Sequence, residues 1–277
     1  MRISGLHTTR YRYSKPVFLE PHVFRFRPRD DGAQRLLQYS LEISPAPAGR
    51  VQCLDADDNV VVHAWFEGLV SELEIRSAFS VETLRSNPFD FLIAPGSLQL
   101  PPADAPPAIA ALAPYLEPPP HAVREFARGL AGSAGGRTLE FLALLNRTLY
   151  GGFRYQARDL GAAHPPAWTL HHRCGSCRDF AVLFAAAARA VGIAARFVSG
   201  YHSGEASERT SMHAWAEVYI EGGGWRGYDP AHGLAASLDH VAVAASADPQ
   251  FAAPVTGSLR GVAEAAMEYA LAIQAAP

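Results

Sequence analysis

The chain has 277 residues, 49% of them hydrophobic, and a single domain usually takes roughly 100 to 200 residues, so one large core or two smaller ones are expected. Its 24 basic and 27 acidic side chains leave a net charge of −3, which argues against a nucleic-acid or anionic-membrane partner. The opening Met1-Arg2-Ile3-Ser4-Gly5-Leu6-His7 carries no apolar leader core, no run reaches the ~20 apolar residues that cross a bilayer, and three cysteines suit a reducing compartment, so a cytoplasmic location is expected.

In chain order, residues 1 to 95 show period-two runs at Val23 to Arg27, Leu37 to Ile43, Val60 to Phe66 and Leu73 to Val81. Such alternation predicts an antiparallel β-domain, a small sandwich. Arg10, Arg12, Arg25, Arg27 and Arg29 could form a binding stripe, but they alternate with Tyr11, Tyr13, Phe24 and Phe26 as the solvated face of half-buried strands does, and we prefer that reading. Residues 96 to 120 hold Pro101, Pro102, Pro106, Pro107, Pro114, Pro118, Pro119 and Pro120, which predicts a connector. Helical periodicity follows in His121 to Leu130 and in Leu139 to Tyr150, opening a second, α+β domain over 121 to 277. The tail alternates Met267, Tyr269, Leu271 and Ile273 and reads as a strand, although its alanines would serve a helix equally.

The chemistry concentrates in the second domain. Cys177 opens an apolar run, Phe180 to Phe184 and a series of alanines, that stops at Gly192. It therefore sits at a helix N-terminus, where unpaired N–H groups and the dipole favour thiolate over thiol. Arg196 to Tyr201 and Met212 to Ile220 read as strands, and in the second His213, Trp215, Glu217 and Tyr219 share one face. After Glu221-Gly222-Gly223-Gly224 the run Trp225 to Asp229 reads as the return strand of a hairpin.

Parity constrains that hairpin. A loop pairing Ile220 with Trp225 would set Asp229 opposite Ala216, on the face away from His213. A three-residue loop pairing Ile220 with Gly224, or a glycine bulge, sets Asp229 opposite Trp215 and diagonally beside His213. Only the second arrangement lets Asp229 orient the imidazole, so an odd turn with a glycine at positive φ is predicted.

Gly175-x-Cys177-x-Asp179 at a helix start, His213-Ala214-Trp215 on a strand and Gly227-Tyr228-Asp229-Pro230 on the next resemble the transglutaminase-like superfamily, and within it the bacterial branch. Thr9-Arg10-Tyr11-Arg12-Tyr13, Pro21-His22, Arg25-Phe26-Arg27-Pro28, Asn59 and Asn87-Pro88-Phe89-Asp90-Phe91-Leu92 resemble the N-terminal β region of that branch. The resemblance implies an α+β fold: an N-terminal antiparallel β-sandwich-like domain, then a papain/transglutaminase-like α+β domain. It also implies cysteine-dependent acyl transfer by Cys177, His213 and Asp229, in the hydrolytic or the transglutaminating direction. One departure is Ala231, where relatives commonly carry Thr; a local packing effect is expected.

Cys174-Gly175-Ser176-Cys177 is also a C-x-x-C, but a redox dithiol needs a preceding strand in a βαβ setting and would leave His213 and Asp229 unexplained. A zinc site lacks a second ligand pair, so neither metal nor cofactor is expected. Cys174 is then structural or a resolving thiol. Asp179 is read as a favoured first-turn carboxylate, and Trp215 either covers His213 or packs in the core. Oxyanion candidates are the Cys177 N–H, Gln156, Tyr155 and Trp168. The expected partner is a peptide or protein amide substrate, with hydrolysis favoured over protein-glutamine transglutamination. A non-enzymatic binding module on the same fold is the remaining alternative, disfavoured because no triad member is missing.

Overall fold

The computed structural model describes residues 1–102, 108–158, 160–204 and 212–276; Pro106 and Pro107 of the expected connector lie outside them. The N-terminal strands are β1 (Arg2–Leu19), β2 (His22–Phe24), β3 (Gln34–Ser44), β4 (Gly49–Leu54), β5 (Val60–Trp65) and β6 (Val70–Thr83). Two antiparallel sheets face each other across Val17, Leu19, Phe24, Phe26, Val62, Ala64, Leu73 and Ile75. One runs β3–β6–β1; the other contains β2, β5 and β4. Burial along β1 alternates, as a strand with one wet face requires.

The connecting region holds α1 (Ala108–Leu112) beside a short 3₁₀ turn, Ala113–Leu116. Helices α2 (His121–Ser133) and α3 (Thr138–Gly152) follow where apolar spacing placed them, then β7 (Arg154–Tyr155), α4 (Pro166–His172) and β8 (Cys174–Gly175). His171 and His172 close helix α4. Helix α5 (Cys177–Ala190) crosses one face of a sheet made of β9 (Ala195–His202), β10 (His213–Ile220), β11 (Gly224–Asp229), β12 (Leu234–Ala235) and β13 (His240–Ser246). Its Phe180, Leu183 and Phe184 pack against Ala216, Val218 and Ile220, the face of β10 opposite to the His213 set. Burying each large side chain is worth about 1.5–3 kcal/mol, enough to fix which face of β10 meets the helix.

Three strands close the chain: β14 (Val255–Thr256), β15 (Leu259–Arg260) and β16 (Ala265–Ala276). The tail is a strand, as its alternation suggested, but it does not belong to a domain spanning 121–277. It pairs with β1 from Arg2↔Ala276 to Tyr13↔Ala265, and β14 pairs with β2. The N-terminal sandwich is thus completed by the C-terminus, because β1 offers an open edge that an apolar-alternating strand satisfies.

The arginines divide in the same way. Arg10 and Arg12 lie on the solvated face, paired with Glu72, Glu74 and Glu268. Arg25 and Arg29 are turned inward instead, Arg25 Nη1 donating to the Ala253 carbonyl and Thr256 Oγ1 and Arg29 Nη1 to Asn59 Oδ1.

The sandwich and the α5 sheet share a core in which Ile3, Phe79 and Val81 meet Tyr201, Val241 and Val243. Two amide side chains clamp β13 from the sandwich as a neighbouring strand would. Gln34 holds Ala242 through both its N–H and its carbonyl (2.8 and 2.9 Å), and Asn59 holds Ala245 likewise (2.8 Å each). Among the described residues no helix is long and apolar enough to cross a membrane.

Candidate active site

Cys177 is the first residue of α5, where the first four N–H groups have no intrahelical partner. Ser176 caps the helix, and Asp179 completes the box by accepting the Ser176 N–H at 2.7 Å and its hydroxyl at 2.8 Å. The other Asp179 oxygen accepts Arg158 and the His164 N–H, both at 2.7 Å. Burial pushes Asp179 upward, but these hydrogen bonds outweigh it and hold the carboxyl below its usual range. Gly175 makes room for it, since a Cβ there would lie 2.7 Å from the Asp179 Cβ. Asp179 thus builds the cap of the helix that Cys177 opens.

His213 opens β10 and is almost wholly buried. Its Nε2 lies 2.7 Å from Asp229 Oδ2, which leaves Nδ1 for the sulfur of Cys177. The hairpin that brings Asp229 there has the odd turn: Ile220 pairs with Gly224 and Ala216 with Tyr228, with Gly222 and Gly224 at φ +85° and +69°.

Cys177 and His213 each shift the protonation of the other. Burial alone raises the Cys177 thiol, but hydrogen bonds from the His213 ring and the Ala214 N–H, with the positive imidazole beside it, bring it below its ordinary value. Burial lowers His213, yet its hydrogen bonds to Asp229 and Cys177 raise it to about 10. Both shifts favour a thiolate–imidazolium pair at neutral pH.

Asp229 is fully buried and more heavily solvated by protein than the sequence indicated. Its Oδ1 accepts the N–H groups of Ala231 (3.0 Å) and His232 (3.3 Å), and its Oδ2 accepts three imidazoles: His213, His232 Nδ1 at 2.6 Å and His240 Nε2 at 3.1 Å. Burial raises its carboxyl, but the three histidines outweigh this and hold it far below the usual range. Ala231 contributes through its backbone, so the loss of a Thr hydroxyl there leaves this contact intact.

His202, on β9, stacks on His232 with ring centres 4.6 Å apart; burial and the neighbouring histidines push it down to about 4. His202, His232 and His240 were not anticipated. His232 was findable, three residues beyond Asp229 in a turn; His202 and His240 reach the cluster only because β9 and β13 pair, His240 opposite His202. His213, Asp229 and His240 offer ligand atoms within 4.8 Å of one another, and here the two imidazoles hydrogen-bond to Asp229 Oδ2 at 2.7 and 3.1 Å.

Trp215 is buried with Val198 and Ala245, and its ring plane is inclined by 26° to that of His213, with the ring centres 6.2 Å apart. Cys174 pairs with Arg154 in the two-residue β8, and Cys174 and Cys177 are both free thiols. The element before the C-x-x-C is helix α4, unlike the strand a redox dithiol requires. Tyr155 and Gln156 run beside Gly175, where the Gln156 N–H meets the Gly175 carbonyl at 2.8 Å and its side chain is exposed. Trp168 is sandwiched between His164 and His172, at 3.9 and 4.0 Å.

Comparison with known proteins agrees with this architecture. Residues 124–230 match the profile of the Transglutaminase-like superfamily, and residues 4–82 that of the Bacterial transglutaminase-like N-terminal region. An uncharacterized protein of Mycobacterium tuberculosis is 30% identical over 271 residues, covering 91% of this chain and 85% of its own. One from Mycobacterium leprae is 26% identical over 270 residues, covering 94% of each. The crystal structure of a candidate cysteine protease from Cytophaga hutchinsonii superposes with a TM-score of 0.75 at 21% identity, covering 100% of this chain and 92% of its own; that likeness is one of fold.

Proposed function

The chain belongs to the transglutaminase-like superfamily, and on that premise we propose that it is a cysteine-dependent hydrolase of peptide or amide bonds, acting through Cys177, His213 and Asp229. The observation that carries this reading is His213 joining the other two: Nε2 on Asp229 at 2.7 Å, the other nitrogen toward a thiol at a helix N-terminus.

The Cys177 thiolate attacks the carbonyl carbon and the negative charge moves to oxygen, stabilised by the Cys177 N–H and, in our reading, the Gln156 side chain. Collapse breaks the C–N bond, and the proton on His213 Nδ1 passes to the departing amine, leaving a thioester. Water then adds as Nδ1 takes its proton; the acid leaves and the thiolate returns. Asp229 keeps the proton of Nε2 in place throughout, so that only Nδ1 exchanges protons. Water needs no built site, whereas transglutamination needs a bound primary amine, and for that reason hydrolysis is preferred.

The test is turnover of peptide, isopeptide and glutamine-amide substrates with and without a primary amine, with Cys177→Ala as control. Acid products that depend on Cys177 support the proposal. Amine adducts in place of acid would assign transglutamination, and no Cys177-dependent product would leave a binding module.

A further inference from the structure

Asp229 is held by more donors than the reaction requires. One carboxylate oxygen has two lone pairs, and three imidazole nitrogens lie within 2.6–3.1 Å of Oδ2. The three histidines are not equivalent. His232 follows in the same turn and is 22% exposed, whereas the His240 side chain is 3% exposed. The ring of His232 lies 4.8 Å from that of His213, and the ring of His240 lies 6.4 Å away.

The protonation of His240 can be read from its partners. The backbone N–H of Ser237 points at Nδ1, 3.3 Å away, and a backbone amide can only donate. Nδ1 is therefore the bare nitrogen, and the single proton of the ring sits on Nε2, aimed at Asp229. His240 is a neutral donor with a fixed tautomer. Its strand is also fixed, since two residues on Ala242 is gripped at both backbone atoms by Gln34.

We propose that His240 is a positioning residue for the reaction: from the buried side it holds Oδ2 of Asp229 in line with His213, so that His232, on the solvent side, does not draw the carboxylate away. The inference rests on the thiol chemistry proposed above. It ties the N-terminal sandwich to the site through Gln34, β13 and His240. Among the described residues, the charged and titratable groups facing Asp229 are His213 from β10, His232 from the following turn and His240 from β13, with His202 from β9 behind them and Cys177 beyond His213.

The experiment measures the thiolate of Cys177 by ultraviolet absorbance against pH, using Cys177→Ala as baseline, together with kcat and KM, in wild type, His240→Phe and His240→Gln. Phe fills the space without a donor; Gln can return an N–H to the same place. His240→Phe is expected to raise the thiolate midpoint by about one unit and lower kcat by roughly tenfold to a hundredfold, the worth of one hydrogen bond to a buried charge, with KM unchanged. His240→Gln is expected to recover most of both. A wild-type midpoint in His240→Phe, or equal shifts in Phe and Gln, overturns the proposal while leaving the thiol mechanism standing. An ordinary thiol titration in the wild type would overturn the mechanism itself and the proposal with it. Should His240→Phe fail to fold, nitrogen NMR of the wild-type imidazoles decides: a protonated His240, or one with its proton on Nδ1, overturns the proposal, and a neutral Nε2–H ring supports it.

Discussion

Ile220 pairs with Gly224 across a three-residue turn, and this one pairing decides the face of Asp229. Continued along the hairpin, the register sets Asp229 across from Trp215 and diagonal to His213, with their side chains on a common face. A register one residue different would turn the carboxylate toward α5.

Gly222 and Gly224 hold that turn for different reasons. Both have positive φ, but a Cβ on Gly222 would come within 2.4 Å of the Leu92 carbonyl oxygen, whereas one on Gly224 would meet open space. Gly224→Ala is expected to cost about 1–2 kcal/mol, the steric penalty of the left-handed conformation. Gly222→Ala should cost distinctly more. Denaturant unfolding of both variants checks the order, and equal losses would contradict the packing of the Leu92 segment against the turn.

The catalytic assignment predicts a non-additive set. Cys177→Ala and His213→Ala should each reduce kcat to background, a loss of roughly 10⁶-fold, and the double variant should lose no more. Asp229→Asn should keep the hydrogen-bonding shape but upset the tautomer, leaving roughly 10⁻⁴ of the wild-type rate. If Cys174→Ala abolished turnover while Cys177→Ala did not, the nucleophile would be the other thiol.

Labelling with iodoacetamide at pH 6 should be rapid at Cys177, whose thiol is held below its ordinary value, and slow at the exposed Cys53. On the alkaline side, kcat/KM should fall near pH 10, as His213 loses the proton that the leaving amine requires. A folded value raised from 6.5 to about 10 adds stability that is fully present below pH 6.5 and is lost as pH rises through 10. Asp229, held low, adds stability that is present above the ordinary carboxylate range and is lost only in strong acid. Thermal melts from pH 6 to 11 should therefore show a decline in wild type that His213→Gln lacks.

Asn59 binds Ala245 through its N–H and carbonyl, accepts from Arg29 at 2.6 Å and donates to Asp55 at 3.1 Å, all while buried. Removing the amide strands several of these groups without water. Asn59→Ala is expected to destabilise the protein by about 2–4 kcal/mol, read as a lower denaturation midpoint. A loss below about 0.5 kcal/mol would mean that the sandwich does not grip β13 through this side chain.

Local pattern was enough to specify the helix start at Cys177, the face of β10 that carries His213 and the sandwich strands β2, β3, β5 and β6, because each is set by a period of 2 or 3.6; the odd turn followed only once Asp229 was required to meet His213, and β4 was not marked by any such run. Nothing local joins His240 or His202 to Asp229, and nothing in the run Ala265–Ala276 says that it will complete a sheet begun at Arg2. Those contacts are made by strand pairing between segments far apart in sequence. Such pairing is decided by which open edge and which apolar face remain unsatisfied once the nearer elements have packed, and that depends on the whole fold.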